Sequence, residues 1–184
     1  TDPRLAAYAD ANEANAFLGV AIESGNLPDD VVAVLKRVQN DLFDVGADLC
    51  TPLQETYEYP PLRVKQQWID ELEADCDSFN ARLDKLRSFI LPSGSPGAAH
   101  LHVATTVVRR AERSTWAAIE AHGTDPGTAK GEGGVSTLAA NYLNRLSDLL
   151  FILARVANLD HGGDVLWQPG GGREDKPEKA PRTD

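Results

Sequence analysis

Two stretches of this chain carry side chains able to do chemistry: Phe89-Ile-Leu-Pro-Ser-Gly94 and, at helical distance beyond it, Arg109-Arg110-Ala-Glu-Arg113. On a helix Arg109 and Arg113 share one face, Glu112 stands near them, and Arg110 points about 100° away. Extending that face gives Thr105, Arg109, Glu112, Arg113 and Trp116, beside Val103, Val107 and Val108. One reading is a solvated face with intrahelical ion pairs, each contributing only about 0.2–0.5 kcal/mol. The other is an anion site, because guanidinium forks set mid-helix among small and apolar residues suit bidentate contact with phosphate or carboxylate better than lysines do. Spacing alone leaves both open. A second polar run, Asn144-Arg145-Leu146-Ser147-Asp148, puts Asn144 and Asp148 on one face, either as groups satisfying each other at a helix crossing or as ligand contacts.

The elements that must position these groups read as helices. Apolar residues recur at helical spacing and alternating strand patterns are nearly absent, so the chain is expected to be all-α. Asp2-Pro3 makes an N-cap and first-turn pair, after which Leu5, Tyr8, Phe17, Leu18 and Ile22 carry a first helix to Gly25. Leu27-Pro28-Asp29 opens a second, whose stripe Val31, Val34, Leu35, Val38, Leu42, Val45, Leu49 stops near Thr51-Pro52. Residues 52–63 read as an ordered loop, and Trp68, Ile69, Leu72, Phe79, Leu83 and Leu86 predict a third helix ending at Leu91-Pro92. A fourth begins after Gly97 and ends at Gly123, which suits a left-handed C-cap. The glycine-rich residues 123–134 predict a mobile insertion. The last helix, about Ser136 to Leu159, is apolar over so wide an arc that it should lie centrally in a five-helix up-and-down bundle. Residues 1–168 are thus expected to form one domain and 169–184 a disordered polar tail.

A formal charge of −10 opposes nucleic acid as a partner, since that binding rests on neutralising phosphates with a basic surface. No run approaches the roughly 20 apolar residues of a membrane span, and no charged-then-apolar leader precedes the first helix. Cys50 and Cys76 lack metal-ligand spacing and read as reduced thiols in a cytoplasm. A di-iron bundle needs Glu-x-x-His pairs, and none of the four histidines has a glutamate three residues before it, so no metal site is expected.

At this point a resemblance becomes specific. Phe-Ile-Leu-Pro-Ser-Gly at 89–94, Leu101-His102, Arg-Arg-Ala-Glu-Arg at 109–113 and Asn-Arg-Leu-Ser-Asp at 144–148 resemble, in order, the PduO-type ATP:cob(I)alamin adenosyltransferases. Asn12-Glu13-Ala14-Asn15, Leu18-Gly19 and the closing helix extend the match over nearly all of residues 1–168. The resemblance implies a five-helix bundle assembled as a homotrimer, with active sites at subunit interfaces. It implies transfer of the 5′-deoxyadenosyl group of ATP, bound with magnesium, to cob(I)alamin formed from cob(II)alamin, releasing triphosphate. Arg109, Arg110, Glu112, Arg113 and Asn144 would contact ATP, with Arg109 and Phe89 the catalytic pair. Phe89 would wall the corrin, with Asn12 and Thr105 also placed toward cobalamin. The product would pass to an adenosylcobalamin-dependent mutase.

Three departures accompany it. The family's Thr/Gly/Asp-rich nucleotide loop and its lysine are expected upstream of Thr1. Asn12 and Thr105 stand where the family commonly has aspartate and arginine, an ion pair across the subunit interface; losing both charges together strands neither. The glycine-rich insertion is the third. An alternative within the same fold is a corrinoid or nucleotide carrier that does not catalyse.

Overall fold

The computed structural model describes residues 2–171, and the tail expected from residue 169 lies beyond residue 171 outside the described residues. Asp2 starts the bundle by accepting a hydrogen bond from the Arg4 amide at 2.8 Å, with Pro3 supplying the fixed φ of a first turn, and α1 runs Pro3–Ser24. Then follow α2 (Asp29–Cys50), α3 (Gln66–Asn80), α4 (Pro96–His122) and α5 (Thr137–Val156), with a short 3-10 turn at Leu159–His161. The described residues contain isolated β-bridges but no strand. The all-α, five-helix expectation therefore holds.

Close pairs give the direction of each helix. His122 meets Asp2, and Gly25 lies against Gly97, so α1 and α4 are antiparallel. Tyr8 lies against Gly46 and Asn15 donates to the Gln39 carbonyl between α1 and α2, while Ser95 donates to the Ala157 carbonyl and Glu112 meets Asn144 between α4 and α5, so both pairs are antiparallel as well. α3 runs beside α5 in the same direction, with Gln66 near Asn141 and Glu73 near Arg145. The result is the up-and-down bundle, with α5 between α4 and α3.

The core departs from the sequence reading on α1. Leu5 and Tyr8 are exposed, and the buried face is Ala7, Ala11, Ala14, Leu18 and Ala21. Small residues on both partners explain this: α4 answers with Gly97, Ala98, Ala104 and Ala111, and a Cβ added at Gly97 would lie 2.6 Å from the Gly25 carbonyl. The helices approach too closely for larger side chains. The α2 stripe is buried as expected, and α5 buries Tyr142, Leu143, Leu146, Leu149, Leu150 and Leu153 completely, each contributing about 1.5–3 kcal/mol.

Two connections differ from expectation. α3 stops at Asn80, eleven residues before Leu91, because the chain must cross the end of α5 to reach α4. Turns at Arg82 and Leu83 begin that crossing, and the buried Arg155 side chain holds the Asp84 carbonyl. The glycine-rich segment expected to be mobile is tied down: Leu53 N–H donates to the Gly134 carbonyl, Gly127 N–H donates to the Leu53 carbonyl, and Arg4 donates to the Gly133 carbonyl. Gly123 has the positive φ expected of it, +73°, but with extended ψ instead of the left-handed helical value.

Candidate functional site

The arginine face is built by the second half of α4, a helix capped by Ser95, whose Oγ accepts from the Ala98 amide at 3.1 Å. Arg109 and Arg113 are exposed, one turn apart, and among the described residues neither side chain forms an ion pair or hydrogen bond. Between them Glu112 accepts from Asn144 Nδ2 at 3.0 Å, which joins α4 to α5 and orients both polar groups beside the arginines. Trp116, 44% exposed, extends the same face. The arrangement presents two free guanidiniums, a carboxylate and a carboxamide on one surface, suited to a polyanion carrying a hydrogen-bonding base or sugar.

Two of the expected members lie elsewhere. Arg110 turns to α1, donating to Asp10 at 3.2 Å and pairing with Glu13, while Ser114 donates to Asp10 at 2.6 Å. These acids, led by the Glu13 hydrogen bond, raise the Arg110 pKa. Its charge is engaged in fastening two helices. Thr105 is buried, its hydroxyl bonded to the Leu101 carbonyl at 2.8 Å, so it leaves the arginine face and lies against the bundle interior. Its helical phase explains this, since Leu101 and Val108 on the same side are core residues. Asn12 is exposed on α1, beside a shallow hollow with Asn15, Gln39 and Phe43.

Phe89 lies at the far end of the bundle. Arg109 is 13 positions into α4, so about 20 Å of helix separates the arginines from that end. Phe89 is 78% exposed and lines an open cleft of about 590 Å³ with Leu86, Ile90, Phe151 and Trp167. A volume of this order is typical of small-molecule sites. Its partner is Trp167, edge-on with ring centroids 5.9 Å apart. Backbone bonds fix the pair: Trp167 N–H donates to the Phe89 carbonyl at 2.8 Å and Leu91 N–H to the Val165 carbonyl at 2.7 Å. Sequence reasoning found no role for Trp167. Its only signal was an aromatic residue beyond the last helix, and its pairing with Phe89 is a tertiary event. Beneath the cleft, His102 is buried edge-on to Phe151, and burial lowers its pKa despite the neighbouring Asp164. The described residues contain no group of three or more His, Cys, Asp or Glu able to hold a metal ion, and no described helix is long and apolar enough to cross a membrane.

The fold is an all-helical bundle with an exposed guanidinium face on one helix and an aromatic cleft at its end, surfaces suited to an anion and to a planar group. The family profile for cobalamin adenosyltransferase matches residues 1–157, and the chain belongs to that family. The corrinoid adenosyltransferase of Mycobacterium tuberculosis is 59% identical over 173 residues, covering 94% of this chain and 84% of that protein. That of Bacillus subtilis is 35% identical over 169 residues, covering 90% and 80%. Among solved structures, a PduO-type ATP:corrinoid adenosyltransferase from Lactobacillus reuteri, a phenylalanine-to-histidine variant complexed with cobalamin and ATP, superposes with a TM-score of 0.76 at 31% identity, covering 91% of this chain and 84% of that one. An arginine-to-lysine variant of the same enzyme complexed with ATP gives 0.75 at 29% identity, covering 91% and 88%.

Proposed function

We propose that this chain transfers the 5′-deoxyadenosyl group of ATP to cob(I)alamin. Cobalt(I) attacks C5′ with its electron pair, a cobalt–carbon bond forms, the C5′–O bond breaks and triphosphate leaves with that bond's electrons. The observation that carries the reading is the exposed Arg109 and Arg113 pair, without an ion pair among the described residues, flanking the Glu112–Asn144 link. The leaving triphosphate gains charge as the bond breaks, and fixed guanidiniums aimed at it stabilise that transition state. Glu112 holds the Asn144 carboxamide so that its free oxygen is presented to the nucleotide. Magnesium would come with the ATP phosphates, and no protein ligand for it is assigned.

Phe89 and Trp167 supply the second half of the site, an aromatic wall that excludes water or a base from the lower face of the cobalt. Support for pairing Phe89 with Arg109 comes from the Lactobacillus reuteri variants: the phenylalanine and arginine exchanged there are twenty positions apart, as are Phe89 and Arg109. The separation of these residues along one subunit favours a site completed at a subunit interface, in a homotrimer. Exposed Val103 and Trp116 on α4, Leu5 and Val20 on α1 and Phe43 on α2 offer apolar surface for that assembly. In this reading Asn12 and Thr105 stand where the resemblance expects an ion pair, with Asn12 exposed and Thr105 turned inward onto the Leu101 carbonyl of its own subunit. Restoring that ion pair with Asn12→Asp and Thr105→Arg together should change the cobalamin kinetics, and unchanged kinetics would remove the pair from the site.

The test of function adds ATP, magnesium and chemically reduced cobalamin to the protein and follows the absorbance change of adenosylation. Adenosylation confirms the transferase. Tight binding of both substrates without it would make the chain a carrier that delivers cofactor to a mutase.

A further inference from the structure

One buried arginine outside the sequence motifs grips both segments that carry the aromatic wall. Arg155 lies in the last turn of α5 and is only 7% exposed. Its Nε donates to Asp164 Oδ2 at 2.8 Å, and its Nη2 donates to the Asp84 carbonyl at 2.8 Å. Asp84 lies five residues before Phe89, and Asp164 three before Trp167. From these two anchor points the chain segments converge on the short antiparallel bridge at Ile90 and Leu166, and Ser88 Oγ adds a bond to the Trp167 carbonyl at 3.2 Å. Nothing else charged holds the 164–167 strap to the bundle among the described residues. It carries Val165, Leu166 and Trp167 with substantial exposure, so apolar burial contributes little to its placement.

We infer that Arg155 is a positioning residue for the corrin-facing wall: by holding Asp164 and the Asp84 carbonyl together it sets the register of Trp167 against Phe89, and through it the fit of the wall to the cobalt's lower face. A guanidinium is needed because two acceptors must be reached in different directions from one rigid fork, which an ammonium on a flexible stem cannot do with fixed geometry. The buried pair also orders the strap without contributing much net stability, since desolvation offsets most of the attraction of a buried ion pair. The inference rests on the adenosyltransferase reading above, because it assigns the wall to the corrin.

The test uses the full chain with the substitutions Asp164→Ala, Asp164→Asn and Arg155→Lys, plus the double variant Arg155→Lys with Asp164→Ala. Asp164 follows the last helix, so its variants keep the measurement available if Arg155→Lys fails to fold. Asp164→Ala is expected to raise KM for cobalamin by about tenfold, the effect of one charge-assisted hydrogen bond, while KM for ATP stays within about twofold. The same variant should reduce the fraction of bound cob(II)alamin that shows the absorbance of a cobalt lacking its lower ligand. Asp164→Asn, which keeps an acceptor for Nε, should recover most of both readouts, and the double variant should be less impaired than the sum of its two single changes, because they share the Arg155–Asp164 link while Arg155→Lys also disturbs the Asp84 contact. Equal shifts in both KM values, or cobalamin parameters unchanged in Asp164→Ala, would overturn the inference. If the unsubstituted protein bound cobalamin but did not adenosylate it, the transferase reading would fail, and the cobalamin spectra of the variants would still decide the role of Arg155.

Discussion

Replacing Asn158 by alanine should loosen the junction that holds the Phe89 segment to the bundle, and the structure sets the size of the effect. Asn158 is 1% exposed, just beyond α5. Its Oδ1 accepts from the Ser95 amide at 2.9 Å and its Nδ2 donates to the Ser93 carbonyl at 3.1 Å. Alanine leaves the buried Ser95 N–H without an acceptor, costing about 1–3 kcal/mol, and removes a second bond contributing about 1 kcal/mol. A total of about 2–4 kcal/mol corresponds to a fall in Tm of about 5–12 °C for a chain of this size. The neighbouring glycine gives an internal check. Gly94 has φ +118°, and a Cβ there would sit 2.2 Å from Asn158 Oδ1. Gly94→Ala should therefore carry both backbone strain of about 1–3 kcal/mol and a collision, and only the strain should remain once Asn158 is alanine. Urea denaturation of the four proteins in the cycle measures this. Costs that add within about 0.5 kcal/mol, or a Tm for Asn158→Ala within about 2 °C of the unsubstituted protein, would refute the account of the junction.

Removing one exposed guanidinium of the α4 face by Arg109→Ala should lower kcat for adenosylation by about 10²–10³-fold, measured by the absorbance of the product, whereas Arg110→Ala should act mainly on thermal stability by weakening the link of α1 to α4. The buried His102, with its pKa held below the ordinary 6.5, resists protonation in the folded state. Its unfolded form binds more protons below pH 6.5, so its contribution is intact above that value and is lost as pH falls through it toward the folded pKa. Melting curves from pH 7.5 to 5.5 should accordingly show a steeper decline than those of His102→Gln. Ellman's reagent should titrate the exposed Cys50 in the native protein and reach Cys76, a buried thiol whose pKa burial pushes up to about 11, only after unfolding.

Period and punctuation carried most of the architecture. Asp2-Pro3, Pro28-Asp29 and Thr51-Pro52 mark helix ends by local chemistry, and the α2 and α5 stripes mark buried faces, so these features are legible without a structure. Leu83 and Leu86 continued the α3 period, yet the helix ends at Asn80 because the chain there is committed to crossing α5, a demand set by a distant segment. α1 misled in the opposite way: hydrophobicity pointed to Leu5 and Tyr8, while close packing against small residues of α4 selected the alanine face.

The candidate site divides along the same line. What was legible from residue types and spacing was a shared face of Arg109, Glu112 and Arg113, with a solvated surface and an anion site both open, while Phe89 and Asn144 joined it only through the family resemblance. Which arginine is available was not, since Arg110 is occupied by Asp10 and Glu13 from a helix nearly a hundred residues earlier. Nor could spacing reveal that Trp167 stands beside Phe89, or that Arg155 reaches both of their segments. Local periodicity determines helices and their faces through short-range sterics and burial, whereas long-range pairing depends on how those helices stack, and only the tertiary structure decided it.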